Sequence, residues 1–175
     1  MRRRALLAFG AGAALTGCGF HPVYMPTASG QAGAAQRELA AIHVELIPDR
    51  PGQLLRQALQ DRFEGASDGA ARHYDLSVAF WISGEGIAIL NNNTATRVRL
   101  IANATWTLSS QDPAHTKITN GFAIANDGLN ILDNQYFAAD LESEALTRRL
   151  ADAVADQITI QLATFFRKRA GGLNG

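Results

Sequence analysis

Residues 97–108 read Arg-Val-Arg-Leu-Ile-Ala-Asn-Ala-Thr-Trp-Thr-Leu, and the alternation within them decides the fold class. Successive side chains of a strand point to opposite faces, so Val98, Leu100, Ala102, Ala104, Trp106 and Leu108 share one side. Arg97, Arg99, Ile101, Asn103, Thr105 and Thr107 share the other. A strand of this kind belongs to a sheet with one covered face and one bare face that is polar with apolar interruptions. Before it, Tyr74, Leu76, Val78, Phe80 and Ile82 alternate in the same way until Gly84 and Gly86 interrupt them. Between the two, residues 87–93 end in an asparagine triplet and read as a turn. After Gln111-Asp112-Pro113 has turned the chain, a further strand is expected over residues 117–125, giving an antiparallel meander.

Upstream, Ile42, Val44 and Leu46 alternate with His43 and Glu45, the period of a strand. Pro48-Asp49-Arg50-Pro51-Gly52 stops it, and Leu55, Ala58, Leu59 and Phe63 then recur at the spacing of a short amphipathic helix. At the other end, residues 137–169 contain neither Gly nor Pro. There Leu150, Ala151, Val154, Ile158, Leu162 and Phe165 form one stripe of a long final helix. Its other face, with Glu142, Glu144, Arg148, Arg149 and Asp152, reads as solvated surface, and Arg167-Lys168-Arg169 complements the helix dipole. Trp81 and Trp106 are both expected in core or half-buried packing. The order β-α-β-β-β-α specifies an α+β two-layer sandwich, with two helices packed on one face of a four-stranded sheet.

The amino terminus carries a different message. Arg2, Arg3 and Arg4 precede an apolar run of roughly eleven residues and then Leu15-Thr16-Gly17-Cys18. A helix spanning a bilayer needs about twenty apolar residues, so residues 1–17 read as a cleaved signal peptide and not an anchor. Leu15-Thr16-Gly17-Cys18 resembles the bacterial lipobox, which makes Cys18 the first mature residue and the lipid attachment point. Cys18 is the sole cysteine, which excludes disulfides. Residues 18–38 read as a lipidated start and tether, and residues 39–170 as one domain. Removing residues 1–17 leaves 13 basic and 16 acidic side chains, a net charge of −3. Bulk attraction to nucleic acid is therefore not expected.

No catalytic set stands out. His21, His43, His73 and His115 lack metal-ligand spacing, and there is no nucleophile elbow, phosphate loop or calcium loop. The chain is thus expected to be no enzyme, without metal or cofactor beyond a covalent diacylglyceryl and N-acyl lipid on Cys18. Arg97 and Arg99, two apart on a strand, point to the same side and could grip phosphate.

Several of these segments, taken in order, carry a resemblance: Cys18-Gly19-Phe20-His21-Pro22-Val23-Tyr24, the strand and helix of residues 42–63, Thr94-Ala95-Thr96-Arg97-Val98-Arg99-Leu100, and the final segment from Tyr136 through Arg148-Arg149-Leu150 to Ile158. Together they resemble the LPS-assembly lipoprotein LptE family, in an alphaproteobacterial-type form. The resemblance implies a non-enzymatic lipoprotein on the periplasmic side of the outer membrane, seated in the lumen of the β-barrel LptD. There it would assist barrel assembly, plug the barrel and help deliver lipopolysaccharide to the outer leaflet. It also implies lipopolysaccharide contacts through basic residues near strands and turns, which here fall on Arg97, Arg99 and Lys117. The competing reading is an auxiliary lipoprotein of a periplasmic lipid or solute ABC transporter, which requires an apolar groove for acyl chains.

Overall fold

A computed structural model describes residues 33–64, 71–89, 95–130 and 136–172. The signal peptide, Cys18 and the asparagine turn at residues 91–93 lie outside them. The described elements are α1 (Ala34–Ala40), β1 (Ile42–Val44), α2 (Asp49–Glu64), β2 (Tyr74–Ile89), β3 (Ala95–Ser110), β4 (Lys117–Asn130) and α3 (Tyr136–Ala170).

The sheet has the order β1-β2-β3-β4. The three long strands form the expected antiparallel meander, with Leu76 opposite Leu108, Ala102 opposite Ala125 and Ala104 opposite Ala123. β1 departs from it, pairing parallel to β2 through Ile42 with Tyr74 and Val44 with Leu76. The physical reason is the connection: parallel neighbours need a crossover, and α2 supplies it. β2 also runs past Gly84 and Gly86 to Ile89, where a turn was expected, because β3 continues to pair with it through Gly84–Leu100 and Gly86–Val98. Register shifts follow at Ala88, where the ladder ends irregularly. The β3–β4 turn closes with the Ser110 N–H donating to the Thr116 carbonyl and His115 in the left-handed region at φ 43°.

α2 begins at Asp49, inside the expected stop signal and three residues before its end at Gly52. Pro51 fits there because first-turn N–H groups have no intrahelical acceptor anyway. Gly52 is buried, and a Cβ at that position would lie 2.7 Å from Ile47 Cγ2. Leu55, Ala58, Leu59 and Phe63 then face inward as their spacing requires.

α3 buries Leu146, Leu150, Ala151, Val154, Ala155, Ile158, Leu162, Ala163 and Phe166. The interior aromatic is Phe166, and Phe165 is partly buried beside it with ring centroids 5.4 Å apart. Glu142, Glu144, Arg148 and Arg149 are exposed, as expected of a solvated face, and ion pairs there tie α3 to α2 and, through Arg149, to β4. Arg50 pairs with Glu144, Arg149 Nε donates to Asp127 Oδ2 at 2.9 Å, and Arg62 bonds Asp156 at 2.8 Å. Arg62 also donates to the Asp152 backbone carbonyl at 3.2 Å.

One helix had no counterpart in the sequence reading. α1 lies partly within the stretch assigned to the tether, yet Ala35 and Leu39 are buried in the common core. Tyr74 joins three elements at this end: its hydroxyl donates to Glu38 Oε2 at 2.7 Å and its ring meets that of Phe166 at 5.3 Å. Burial pushes the Tyr74 hydroxyl above its ordinary pKa, the Glu38 contact adds to this, and nearby Arg169 pulls the other way. The core thus lies wholly between Ala35 and Phe166, with the helices on one face of the sheet.

Candidate functional site

Among the described residues, the opposite face of β2, β3 and β4 carries no helix. Cross-strand register sorts its side chains into rows: Ala79–Thr105–Phe122, Trp81–Asn103–Ile124 and Ser83–Ile101–Asn126. Neighbours within such a row sit about 5 Å apart, so Asn103 on the central strand lies between Trp81 and Ile124, Thr105 lies beside Phe122, and Ile101 lies between Ser83 and Asn126. Trp81 is 50 % exposed, Phe122 67 % and Ile124 47 %. Trp106, by contrast, is 4 % exposed. The two tryptophans therefore separate: Trp106 packs in the core and Trp81 is half-buried on the bare face. Strand parity is the reason: 81 is out of phase with Leu76-Val78-Phe80, whereas 106 is in phase with Ala102-Ala104-Leu108. Several large apolar side chains left exposed on one water-facing sheet mark a contact surface.

The edge of this face is closed from behind. Gln157 on α3 accepts the Ile124 N–H at 3.2 Å and donates to the Ile124 carbonyl at 2.9 Å. Gln161 donates to the Phe122 carbonyl at 3.0 Å, and its Oε1 accepts the Trp106 indole N–H at 3.1 Å. An edge strand offers unpaired backbone groups to any passing strand, and these two amides occupy that offer at the stretch bearing Phe122 and Ile124. Gly121 is required by the same packing, since a Cβ there would lie 2.6 Å from Trp106 Cζ2 and 2.8 Å from Gln161 Oε1. The consequence is a preset surface: Phe122 and Ile124 project from backbone that α3 holds in place.

Arg97 and Arg99 extend this face toward the β2–β3 hairpin. Both are exposed, and Arg99 stands between Glu85 and Gly128 in register. A Cβ at Gly128 would lie 3.6 Å from Arg97 Nε, so the missing side chain leaves room for that guanidinium. Among the described residues neither arginine makes an ion pair within 4 Å. Lys117 does not join them. It pairs with Ser109, twelve residues along β3 from Arg97 and about 40 Å away at strand rise. One phosphate cannot be shared between the two places.

The described residues offer little else. No group of three His, Cys, Asp or Glu side chains is placed to hold a metal among them. His43 Nδ1 lies 2.6 Å from Arg72 Nη1, while His73 and His115 are exposed. Depressions border His43 and Arg72, Arg50 and Glu144, and Glu144 and Arg148, and each is lined by charged side chains. None of these is the apolar groove that acyl-chain carriage would need. No described helix is long and apolar enough to cross a membrane.

Comparison with known proteins adds a family. A family model described as LptE, lipopolysaccharide-assembly, matches residues 39–162. No curated protein matches the chain. Among solved structures, a lipoprotein from Caulobacter crescentus CB15 shares 22% identity at a TM-score of 0.60, covering 76% of this chain and 96% of its own. The rare lipoprotein B from Shewanella oneidensis follows at 12% identity and TM-score 0.53, covering 71% and 92%. The solution structure of lipoprotein B from Nitrosomonas europaea has 13% identity and TM-score 0.51, covering 71% and 81%. At these identities the structural likenesses speak for the fold.

Proposed function

The chain belongs to the LptE lipopolysaccharide-assembly family, and from that premise we propose that it is an outer-membrane lipoprotein, anchored through Cys18, that fills the lumen of an LptD-like β-barrel. In this reading it assists assembly of the barrel, plugs it, and takes part in passing lipopolysaccharide to the outer leaflet. The task is one of shape and contact, with no bond made or broken.

The observation that carries the reading is the preset bare face centred on Trp81, Phe122 and Ile124. A wide barrel has a polar lumen, and a plug must offer it a rigid, mostly polar surface with a few apolar anchors. Trp81, Phe122 and Ile124, interspersed with Asn103 and Thr105, supply such anchors on a polar surface. The unit is also self-supporting, since its core closes without that face.

Lipopolysaccharide contact falls to Arg97 and Arg99 in this reading. Two guanidinium groups on one side of a strand suit the phosphates of the lipid head, each by charge-assisted forks. Lys117, at the far end of β3 and β4, stands apart from that contact. Arg97→Ala with Arg99→Ala is expected to leave melting unchanged and to weaken lipopolysaccharide binding about tenfold or more, since charge-assisted bonds contribute about 1.5–3 kcal/mol each. Equal affinity in a direct binding measurement would remove the arginine pair from the account.

The defining experiment is recovery of partners from solubilised outer membranes through a tag at the carboxyl terminus. An LptD-like barrel should co-purify in stoichiometric amount. Recovery of an inner-membrane transporter ATPase complex instead would decide for the transporter reading.

A further inference from the structure

The fold has a second charged region that the barrel reading does not use. At the end of the molecule where the chain enters α1, the last turn of α3 brings Arg167, Lys168 and Arg169, all exposed. Arg37 is exposed on α1, and Lys117 opens β4 at the same end of the sheet. The Glu38–Tyr74–Phe166 contact ties these elements together, and Tyr74 pairs with Ser110, one residue from the Ser109–Lys117 pair. Acidic residues here are Glu38, Asp75 and Asp112. Glu38 accepts from Tyr74 and Asp75 from the Gln111 amide at 2.8 Å. Arg72 and Glu64 line one depression at the margin and offset each other.

Among the described residues the pole thus holds Arg37, Arg72, Lys117, Arg167, Lys168 and Arg169 against Glu38, Glu64, Asp75 and Asp112, six basic against four acidic side chains, whereas residues 18–175 together are net acidic at 13 basic against 16 acidic. Molecules with a negative body are repelled by an anionic membrane unless a local basic surface faces it. The covalent geometry says which surface that is. Between Cys18 and Gly33 lie fourteen residues, which span at most about 50 Å even fully extended. An anchor at Cys18 therefore joins the folded body at this pole, and Arg97 lies about 40 Å farther along the strands.

From this arrangement we infer that the pole formed by Arg37, Lys117 and the Arg167-Lys168-Arg169 turn docks on the anionic glycerophospholipid headgroups of the leaflet that holds the lipid anchor. The docking rests on the reading of Cys18 as the lipid attachment point. It orients the wedge: the pole lies at the membrane surface and the hairpin end with Arg97 and Arg99 points away from it. Phosphate oxygens accept from the guanidinium and ammonium donors, and the exposed chain end of α3 adds its carbonyl dipole, which favours cations at that turn.

The test uses the chain from residue 18 onward with Cys18→Ser, which retains every described residue and carries no lipid. Sedimentation with vesicles of phosphatidylethanolamine and phosphatidylglycerol is expected to recover it, with release as salt rises. Vesicles of phosphatidylcholine alone are expected to leave it in solution. Each Lys or Arg near an anionic surface strengthens attachment about fivefold. Arg167→Ala with Lys168→Ala and Arg169→Ala should therefore weaken it at least about tenfold, while Arg148→Ala, an exposed arginine of α3 away from this pole, should not change it. Should the triple variant melt below the parent, Arg37→Ala with Lys117→Ala on separate elements carries the same comparison. Equal recovery on both vesicle types, no loss in the pole variants, or pole-dependent binding to lipopolysaccharide dispersions but not to phospholipid would overturn the proposal. The mass of the wild-type amino terminus, extracted from membranes, tests Cys18 separately, so failure of either reading is distinguishable from failure of the other.

Discussion

The two faces of one sheet have opposite fates. Toward the helices, Leu76, Ala102, Ala104, Leu108 and Ala123 are all at most 1 % exposed, and no buried polar side-chain atom lacks a hydrogen-bond partner among the described residues. Toward solvent, alternate residues of the same strands leave Trp81, Phe122 and Ile124 about half or more exposed. Backbone, twist and register are shared, so the difference arises from side chains alone. One face is covered by the chain's own helices, and the other leaves large apolar side chains exposed among the described residues.

The contrast breaks most directly from the finished side. Ile158→Ala removes a fully buried side chain where α3 meets the core and should cost about 2–5 kcal/mol in denaturant unfolding. Trp81→Ser with Phe122→Ser should leave unfolding within about 1 kcal/mol of the parent and weaken partner association by about 2 kcal/mol or more. That pair is measured by chemical unfolding and by barrel co-purification. If instead the double variant unfolds as readily as Ile158→Ala, the bare face is a structural one.

A smaller effect probes the seam between the faces. Gly121→Ala puts a methyl against the Trp106 ring and the Gln161 amide, and should cost about 1–3 kcal/mol by overpacking. Loss of the seal should also speed hydrogen exchange at the Ile124 amide, whose acceptor is Gln157. The smallest effect lies at Asp127. The Arg149 hydrogen bond, with help from the Gly128 N–H, holds its carboxyl below the usual carboxylate range. A lowered folded pKa contributes stability above the unfolded value and loses it as pH falls through the folded one. Arg149→Ala should therefore flatten the acid limb of a stability profile taken from pH 5 to pH 2, by little because the pair is partly exposed.

The strongly periodic parts of the fold are legible in the sequence. β3 shows its two faces by parity, and α3 its stripe, because many residues repeat one signal. α1 offers only Ala35 and Leu39 as inward positions, too few to display a helical period. β1 has three residues, and its parallel pairing depends on where α2 returns the chain. The glycines of β2 look like stops but are carried by pairing with β3. The site divides in the same way. Arg97 and Arg99 follow from spacing, and Trp81 follows from parity once its phase is compared with Val78. Gln157 and Gln161 read as ordinary polar helix residues, since only the tertiary approach of α3 to β4 gives them a role. Lys117 was grouped with the arginines by charge, and the register places it at the opposite pole.

The central claim is that the Trp81–Phe122–Ile124 face is where the partner sits. A photo-crosslinking amino acid placed at Phe122 in the intact lipoprotein, activated in living cells, tests it most directly. The account predicts a covalent adduct with an outer-membrane β-barrel protein. Efficient incorporation with no barrel adduct from Phe122, nor from the same probe at Trp81, would contradict it.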